Sequence, residues 1–107
     1  MKSGIVVSTN DPEVCWNAFR FGNMALKENH AANAFLINKG VEAECFKDEK
    51  FNVTEQLRSF FESKGEILDC GSCLKVRQKE GSEVSPISTM KDLLKLVEEC
   101  NKLLTFG

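Results

Sequence analysis

The sequence lacks a long hydrophobic run, an excess of charge of one sign and an export signal. No apolar segment approaches the roughly 20 residues that a helix needs to cross a bilayer. The start, MKSGIVVSTNDPE, turns polar too early for a signal peptide. The 14 basic and 16 acidic residues give a formal charge of −2, which offers no positive field to a nucleic-acid backbone. We therefore expect a cytoplasmic protein that binds neither membranes nor nucleic acids.

Motifs for common bound groups are also missing. There is no G-x-G-x-x-G sequence, which disfavours a dinucleotide fold of the usual kind. A zinc site needs four ligands, and beyond one C-x-x-C pair the other cysteines and the single histidine form no second pair at ligand spacing. Five cysteines, an odd number, favour reduced thiols over a disulfide framework. We expect neither a metal nor a cofactor.

The order of apolar segments and turn residues predicts an α/β fold. The 107 residues are enough for one domain, residues 1–107, in which short apolar strands alternate with segments of helical periodicity. Strands are expected at 4–8, 32–38, 66–69, within 82–88 and at 102–106, and helices at about 12–28, 52–64, 71–80 and 89–100. This alternation predicts a three-layer α/β/α sandwich with a mainly parallel five-stranded sheet.

Glycine and proline predict where several elements end. Gly65 is placed to end the second helix in the left-handed conformation, and Gly81 to close a third helix of at least two turns. Pro86 is expected to terminate the fourth strand. Residues 38–40 supply a turn, and residues 41–46 are expected to be irregular or briefly extended.

Two helix starts have rival capping residues. For the second helix, Asn52 with Glu55 three residues later resembles a capping box, and Thr54 is the alternative. The last helix is opened by Ser88 or Thr89. Its apolar side is expected to consist of Met90, Leu93, Leu94, Val97 and Cys100.

Two groups of polar or reactive residues follow strands, residues 8–11 after the first and residues 69–73 after the third. Ligands of open α/β sheets bind beyond the carboxyl ends of the strands. Asn10 and Asp11 are therefore candidate ligand-binding residues, since the helix start that follows can bind an anion. Capping of that helix, which begins at Pro12, is the alternative explanation of both residues.

The motif Cys70-x-x-Cys73 is the candidate catalytic site. A thiol reacts as its thiolate, which backbone N–H groups and the positive end of a helix favour. Gly71 allows close backbone approach to whatever the sulfur carries, and Gly71 and Ser72 are the candidate ligand-binding residues here. Two alternatives stay open: the thiols are buried packing residues, or they form a redox dithiol of the thioredoxin type. The late position of the motif and the Gly-Ser pair inside it disfavour the thioredoxin type.

The other cysteines and the histidine indicate no second site. Cys15 and Cys100 fall on apolar helix faces and are interpreted as core residues, whereas Cys45 lies in an expected loop. His30 lies in a turn after the first helix, where a lone histidine is typically a surface residue. We assign no role to these four residues.

Four segments of the sequence resemble a known family. They are IVVSTNDPEVCWNAFRFGNMAL, AFLINKGVEA, LRSFFESKGEILDCGSCLKVR and LLKLVEECNKLLTF, which together run over nearly the whole chain. This succession resembles the DsrE/DsrF-like proteins, a group of small α/β proteins of sulfur metabolism. Its most specific piece, CGSCLKVR, is similar to the C-G-[ST]-C-L-K-x-R sequence of the small stand-alone subgroup. This chain has Gln78 where the family often has glycine.

The resemblance implies roles for the two cysteines and an assembly. Cys70 matches the family's cysteine at the end of the third strand, which is associated with carrying sulfur as a persulfide. Cys73 matches the second cysteine of the C-G-x-C subgroup, which the sulfur-relay subunits of the DsrE/TusD type lack. Family members assemble as trimers or hexamers, so the resemblance also implies a homo-oligomer.

Residues and resemblance together predict a sulfur-relay protein. Cys70 accepts a sulfane sulfur from a donor protein or a small persulfide and passes it to an acceptor, with Cys73 as the resolving or tuning thiol. This is shuttle chemistry, so the protein is at most sulfurtransferase-like as an enzyme. Two alternatives stay open: a small-molecule or anion-binding regulatory module with incidental thiols, and a non-catalytic structural subunit of an oligomer.

Overall fold

The structure, a computed structural model, describes residues 1–45 and 47–107. Within these residues the strands β1 to β5 are Lys2–Val7, Ala31–Leu36, Glu66–Cys70, Ile87–Ser88 and Lys102–Phe106. They form one sheet in the order β4-β3-β2-β1-β5, and every neighbouring pair is parallel. The helices α1 to α4 are Pro12–Lys27, Val53–Glu62, Gly71–Val76 and Met90–Glu99. The predicted α/β fold with a five-stranded sheet is confirmed.

Helices cover both faces of the sheet. On one face Ile5 of β1 lies against Gly22 of α1, and the rings of Phe19 and Phe60 join α1 to α2 with their centroids 5.6 Å apart. The adjacent Gly4 lies against α4. Since consecutive strand residues point to opposite faces, α1 and α2 cover one face and α4 covers the other.

The predicted apolar side of α4 is divided between the core and the solvent. Leu96 is the buried residue of α4, and Leu93 packs against the core from a half-buried position. Met90, Leu94 and Val97 are 54%, 59% and 43% exposed, so these members of the predicted apolar side do not face the core. The helix therefore carries a second apolar stripe that faces outward.

The end of α2 differs from the prediction. Lys64, with φ of 72°, takes the left-handed conformation, and Gly65 does not. The N–H groups of Lys64 and Gly65 donate to the carbonyl oxygens of Phe61 and Phe60, which closes the helix. Glycine is needed at 65 for a steric reason, because a Cβ there would collide with the Phe60 ring.

The segments around β4 also correct the sequence analysis. α3 ends at Val76, well before Gly81, and the left-handed residue after it is Gln78 with φ of 53°. This is the position at which the family often has glycine. β4 begins after Pro86 and is not terminated by it, since proline lacks only its own N–H and does not prevent the next residues from pairing with β3.

Residues 38–45 are more regular than predicted. Asn38–Cys45 form a 3₁₀ helix in place of a turn and an irregular or extended piece. The N–H of Gly40 donates to the carbonyl of Ile37, the i to i+3 bond that defines this helix type. Phe46, at the end of the predicted irregular piece, lies outside the described residues.

Side-chain caps fix the helix starts that position the site. Asp11 caps α1 by accepting from the N–H of Val14 at 3.1 Å. Asn52, and not Thr54, caps α2. Thr89 caps α4 in a capping box with Asp92.

No helix within residues 1–45 and 47–107 has the length and apolar character needed to cross a membrane.

Candidate functional site

Cys70 lies where β3 passes directly into α3. It is the last residue of the strand and the N-cap of the helix, with φ of −61° and ψ of 119°. Glycine is required next in the chain, because a Cβ on Gly71 would lie 2.8 Å from the carbonyl oxygen of Ser88. The close approach of α3 to β4 therefore places Cys70 beside the short edge strand.

Hydrogen bonds favour the thiolate form of Cys70. The residue is only 2% exposed, and the Ser72 Oγ lies 3.4 Å from its sulfur. Burial acts to raise the pKa of the Cys70 thiol. The Ser72 hydroxyl, the Cys73 thiol and the backbone N–H groups of both residues outweigh burial and lower this pKa below its ordinary value. α3 has only six residues and is shorter than the sequence predicted. The thiolate is therefore favoured by these direct donors and not by the dipole of a longer helix.

Cys73 is the less acidic of the two thiols. Burial and the hydrogen bond to Cys70 raise the pKa of the Cys73 thiol, although its sulfur accepts the N–H of Asn38 at 3.1 Å. The two thiols therefore differ in acidity, and Cys70, the more acidic one, is the better candidate nucleophile. The structure brings together Cys70, Gly71, Ser72 and Cys73.

A polar network joins this site to the end of β1. Arg77 donates through Nε to Glu42 at 2.8 Å and through Nη1 to the carbonyl of Cys73 at 3.1 Å. The hydrogen bond from Arg77 lowers the pKa of the Glu42 carboxyl. Glu42 also accepts a hydrogen bond from Asn10 at 3.4 Å. Asn10 is thus linked to the site through Glu42 and Arg77, whereas Asp11 acts as a helix cap.

An open cavity of about 620 Å³ lies beside Cys70. Its size falls within the range of small-molecule sites, roughly 300–1,000 Å³. Its lining is mainly apolar and consists of Cys70, Gly71, Ser72, Lys75, Ile87, Ser88, Thr89, Met90 and Asp92. Asn10 and Asp11 are not among these residues, and a ligand-binding role for them stays a prediction.

Asp69, the residue directly before Cys70, is buried, and this burial was not predicted from the sequence. The residue is 3% exposed, and its carboxylate accepts a hydrogen bond from the Ser85 hydroxyl at 2.5 Å. Burial raises the pKa of Asp69 to about 6 against the opposing effect of Ser85; Glu44 adds to the rise and Lys79 reduces it. The available signal was a carboxylate that follows the apolar pair Ile67 and Leu68 in EILDC.

The remaining cysteines lie elsewhere. Cys15 is fully buried in α1, and burial raises the pKa of its thiol to about 12. Cys100 is half-buried, and Cys45 is exposed with the Lys79 Nζ 3.3 Å from its sulfur. In the described part of the chain, no group of three or more histidine, cysteine, aspartate or glutamate residues is arranged to hold a metal ion.

Comparison with known sequences places the chain in a family. The family model described as DsrE/DsrF-like matches residues 1–106. The chain belongs to the DsrE/DsrF-like family. This family is associated with sulfur relay in general. Membership of the C-G-x-C subgroup stays a prediction.

Two relatives match most of the chain. The uncharacterised protein MJ0989 of Methanocaldococcus jannaschii is 32% identical over 110 residues, covering 94% of this chain and 96% of its own length. The uncharacterised protein MK0008 of Methanopyrus kandleri is 32% identical over 100 residues, covering 88% of this chain and 83% of its own length. The name of neither relative states a substrate.

Two solved structures have the same DsrE-like fold. The ychN protein of E. coli has a TM-score of 0.84 at 20% identity, and the alignment covers 99% of this chain and 100% of ychN. BT1422 of Bacteroides thetaiotaomicron, a conserved protein of unknown function, has a TM-score of 0.76 at 15% identity, with 98% and 94% covered. At these identities the likeness concerns the fold alone.

Proposed function

We propose that the protein carries sulfane sulfur as a persulfide on Cys70, with Cys73 as its resolving or tuning thiol. The observation that supports this most is the position of Cys70 at the junction of β3 and α3, with the Ser72 Oγ 3.4 Å from its sulfur. In keeping with this geometry, the pKa of Cys70 is lowered and that of Cys73 is raised. A carrier needs one nucleophilic sulfur in a protected position, and Cys70 lies buried at the edge of an open cavity.

Loading is a thiol–persulfide exchange that needs no oxidant. The Cys70 thiolate attacks the terminal sulfur of a donor persulfide, on a protein or a small molecule. The S–S bond of the donor breaks, the donor leaves as a thiolate, and a new S–S bond forms on Cys70. The Ser72 hydroxyl and the backbone N–H groups that stabilise the Cys70 thiolate can also stabilise the terminal persulfide anion.

Unloading can take one of two routes. An acceptor thiolate attacks the terminal sulfur, which forms an acceptor persulfide and returns Cys70 as a thiolate. Alternatively, the deprotonated Cys73 sulfur attacks the inner sulfur on Cys70, forms a Cys70–Cys73 disulfide and expels hydrosulfide. The second route leaves an oxidised pair, which an external dithiol must reduce before the next cycle.

Mass spectrometry tests the carrier function directly. The reduced protein is incubated with a cysteine desulfurase and cysteine, and the added sulfur is mapped on peptides. We expect one sulfur atom on Cys70, none in Cys70→Ser, and slower hydrosulfide release from Cys73→Ser. Cys45→Ser removes an exposed thiol elsewhere and should load like the wild type. The proposal fails if neither this donor nor polysulfide loads Cys70 and the folded protein also resists its alkylation.

Small-molecule binding is a second candidate, favoured by the mainly apolar cavity beside Cys70. In that case the thiols are incidental, and a double Cys70→Ser, Cys73→Ser variant keeps the thermal stabilisation that a ligand confers. Loss of that stabilisation in the double variant assigns the sulfurs to the site.

We also propose that the protein is a homo-oligomer, a trimer or hexamer. The support, beyond family resemblance, is the outward stripe of Met90, Leu94 and Val97 on α4, which is suited to contact with a second copy. Light scattering should show an oligomer that Leu94→Glu dissociates. Lys95→Glu, an exposed change on the same helix, is the control. A monomeric wild type would contradict this assembly.

A further inference from the structure

Asp69 holds the chain segment that precedes α4. The Ser85 hydroxyl donates to its carboxylate at 2.5 Å, the Ser88 hydroxyl donates to its carbonyl at 2.9 Å, and its N–H donates to the carbonyl of Pro86 at 2.9 Å. Asp69, Ser85 and Ser88 are all buried. This short stretch of β3 therefore fixes the position of residues 85–88.

The same segment forms one wall of the cavity at the thiol site. Ile87 and Ser88 line the cavity, and Cys70, the residue after Asp69, lines it from the other side. The Asp69 side chain itself is hydrogen-bonded outside the cavity, to Ser85. A change at Asp69 can thus move a wall of the site without touching the reacting sulfur.

The turn that carries Ser85 also binds a second carboxylate. The N–H of Ser82 donates to the carbonyl of Ser85, and the N–H of Ser85 donates to the Ser82 hydroxyl, each at 3.0 Å. That hydroxyl donates to Glu44 of the 3₁₀ helix at 2.7 Å. The charged groups that act on Asp69 are this Glu44 and Lys79, the latter from the segment after α3.

We propose that Asp69 is a positioning residue whose protonated form holds residues 82–88 closed against β3, and whose ionisation loosens this wall and opens access to Cys70. This regulatory role rests on the sulfur-carrying function proposed above. The direction follows from burial. Closing the segment removes the carboxyl group from water and leaves it near Glu44, and these effects outweigh the Ser85 hydrogen bond, which favours the ionised carboxylate. The closed form therefore binds the proton more tightly.

We call the contact of residues 82–88 with Asp69 the clasp. Hydrogen exchange of the Ser82 and Ser85 amides tests whether the clasp opens, independently of any sulfur chemistry. Exchange is followed from about pH 4.5 to 8 and corrected for the intrinsic rates. Burial raises the pKa of Asp69 from 3.8 to about 6. The opening equilibrium should therefore increase roughly 30-fold between pH 4.5 and 8. Asp69→Asn should abolish this dependence, and Glu66→Gln, an exposed change on the same strand, should keep it.

Glu44→Gln supplies a second variant with a distinct expectation. Removal of the Glu44 charge should shift the exchange transition to lower pH, because that charge raises the pKa of Asp69. If exchange at Ser82 and Ser85 does not depend on pH in the wild type, the clasp is overturned, whatever Cys70 carries.

Access to the sulfur is measured separately as the alkylation rate of Cys70. The ratio of the wild-type rate to the Asp69→Asn rate cancels most of the thiolate titration, and it should rise with pH through the same transition. A ratio that stays constant overturns the gating. If the exchange and alkylation transitions coincide but Cys70 takes up no sulfur, the clasp is supported and the sulfur-carrier function alone fails.

Discussion

Cys70 caps α3 and Cys73 lies inside the same helix, and their thiol pKa values are shifted in opposite directions. Against the effect of burial, donors led by the Ser72 hydroxyl lower the pKa of Cys70, whereas burial and the contact with Cys70 raise the pKa of Cys73. A symmetric dithiol would leave either sulfur free to attack. Here the opposite shifts favour the sulfur at the strand end as the nucleophile over the one inside α3.

Ser72→Ala tests the donors around Cys70. Loss of the Ser72 hydroxyl removes a hydrogen bond that lowers the pKa of Cys70, so less thiolate is present at neutral pH. We expect alkylation of Cys70 to slow by roughly 3- to 10-fold, the equivalent of one hydrogen bond of about 1 kcal/mol. The rate is followed against pH by peptide mass spectrometry. Ser59→Ala on α2 is the matched control, and an unshifted midpoint for Ser72→Ala would contradict the assignment.

Gly65→Ala and Lys64→Gly should change stability in opposite directions. The Cβ that alanine adds at position 65 meets the buried Phe60 ring, and overpacking of this kind costs about 1–3 kcal/mol. Lys64 has φ of 72°, so glycine there relieves strain and stabilises by up to ~1 kcal/mol. Urea denaturation measures both free energies of unfolding. Destabilisation by Lys64→Gly with tolerance of Gly65→Ala would reverse our account of this helix end.

Asp69 should make the free energy of unfolding fall as the pH rises. Burial raises the pKa of Asp69 from 3.8 to about 6, so between these values the folded state binds more protons than the unfolded state. The stabilisation is complete below pH 3.8 and is lost through about pH 6. Relative to Asp69→Asn, the wild type should lose up to about 3 kcal/mol across this window. Parallel stability curves in urea for the two proteins would exclude the effect.

Asp11→Ala distinguishes capping from ligand binding after β1. The Asp11 carboxylate caps α1 through the N–H of Val14, so its loss should lower stability by about 1 kcal/mol. Cys70 alkylation and sulfur loading should stay unchanged. Asn52→Ala, which removes the equivalent cap of α2, should have a similar effect on the melting temperature. A selective loss of sulfur loading in Asp11→Ala would instead support the predicted anion-binding role.

The position of Cys70 could be predicted because its cause is local. An apolar strand followed by Gly71 marks a strand-to-helix junction, and the C-x-x-C spacing places both thiols there. The opposite pKa shifts could not be predicted, because they depend on how far the fold buries each sulfur and on how the Ser72 and Cys73 side chains are oriented toward Cys70. For the same reason the burial of Asp69 required knowledge of Ser85.

Errors at element ends have a similar origin. Gly65 was the natural candidate for a left-handed residue, yet the Phe60 ring explains glycine there and leaves Lys64 to adopt that conformation. On α4 the helical periodicity identified apolar residues correctly. Periodicity alone does not show which of them a neighbouring element covers, and Leu94 remained exposed.

The pairing of β1 with β5 also affects how the chain acquires its structure. Gly4 lies opposite Leu103 in this pairing, so the contact joins residues almost the full length of the chain apart. Contacts of such long sequence separation slow folding. While the protein is being synthesised, one edge of β1 stays without its partner until residues 102–106 have left the ribosome. In that interval the apolar strand presents unpaired backbone groups to other nascent chains, which makes this edge prone to aggregation during biosynthesis.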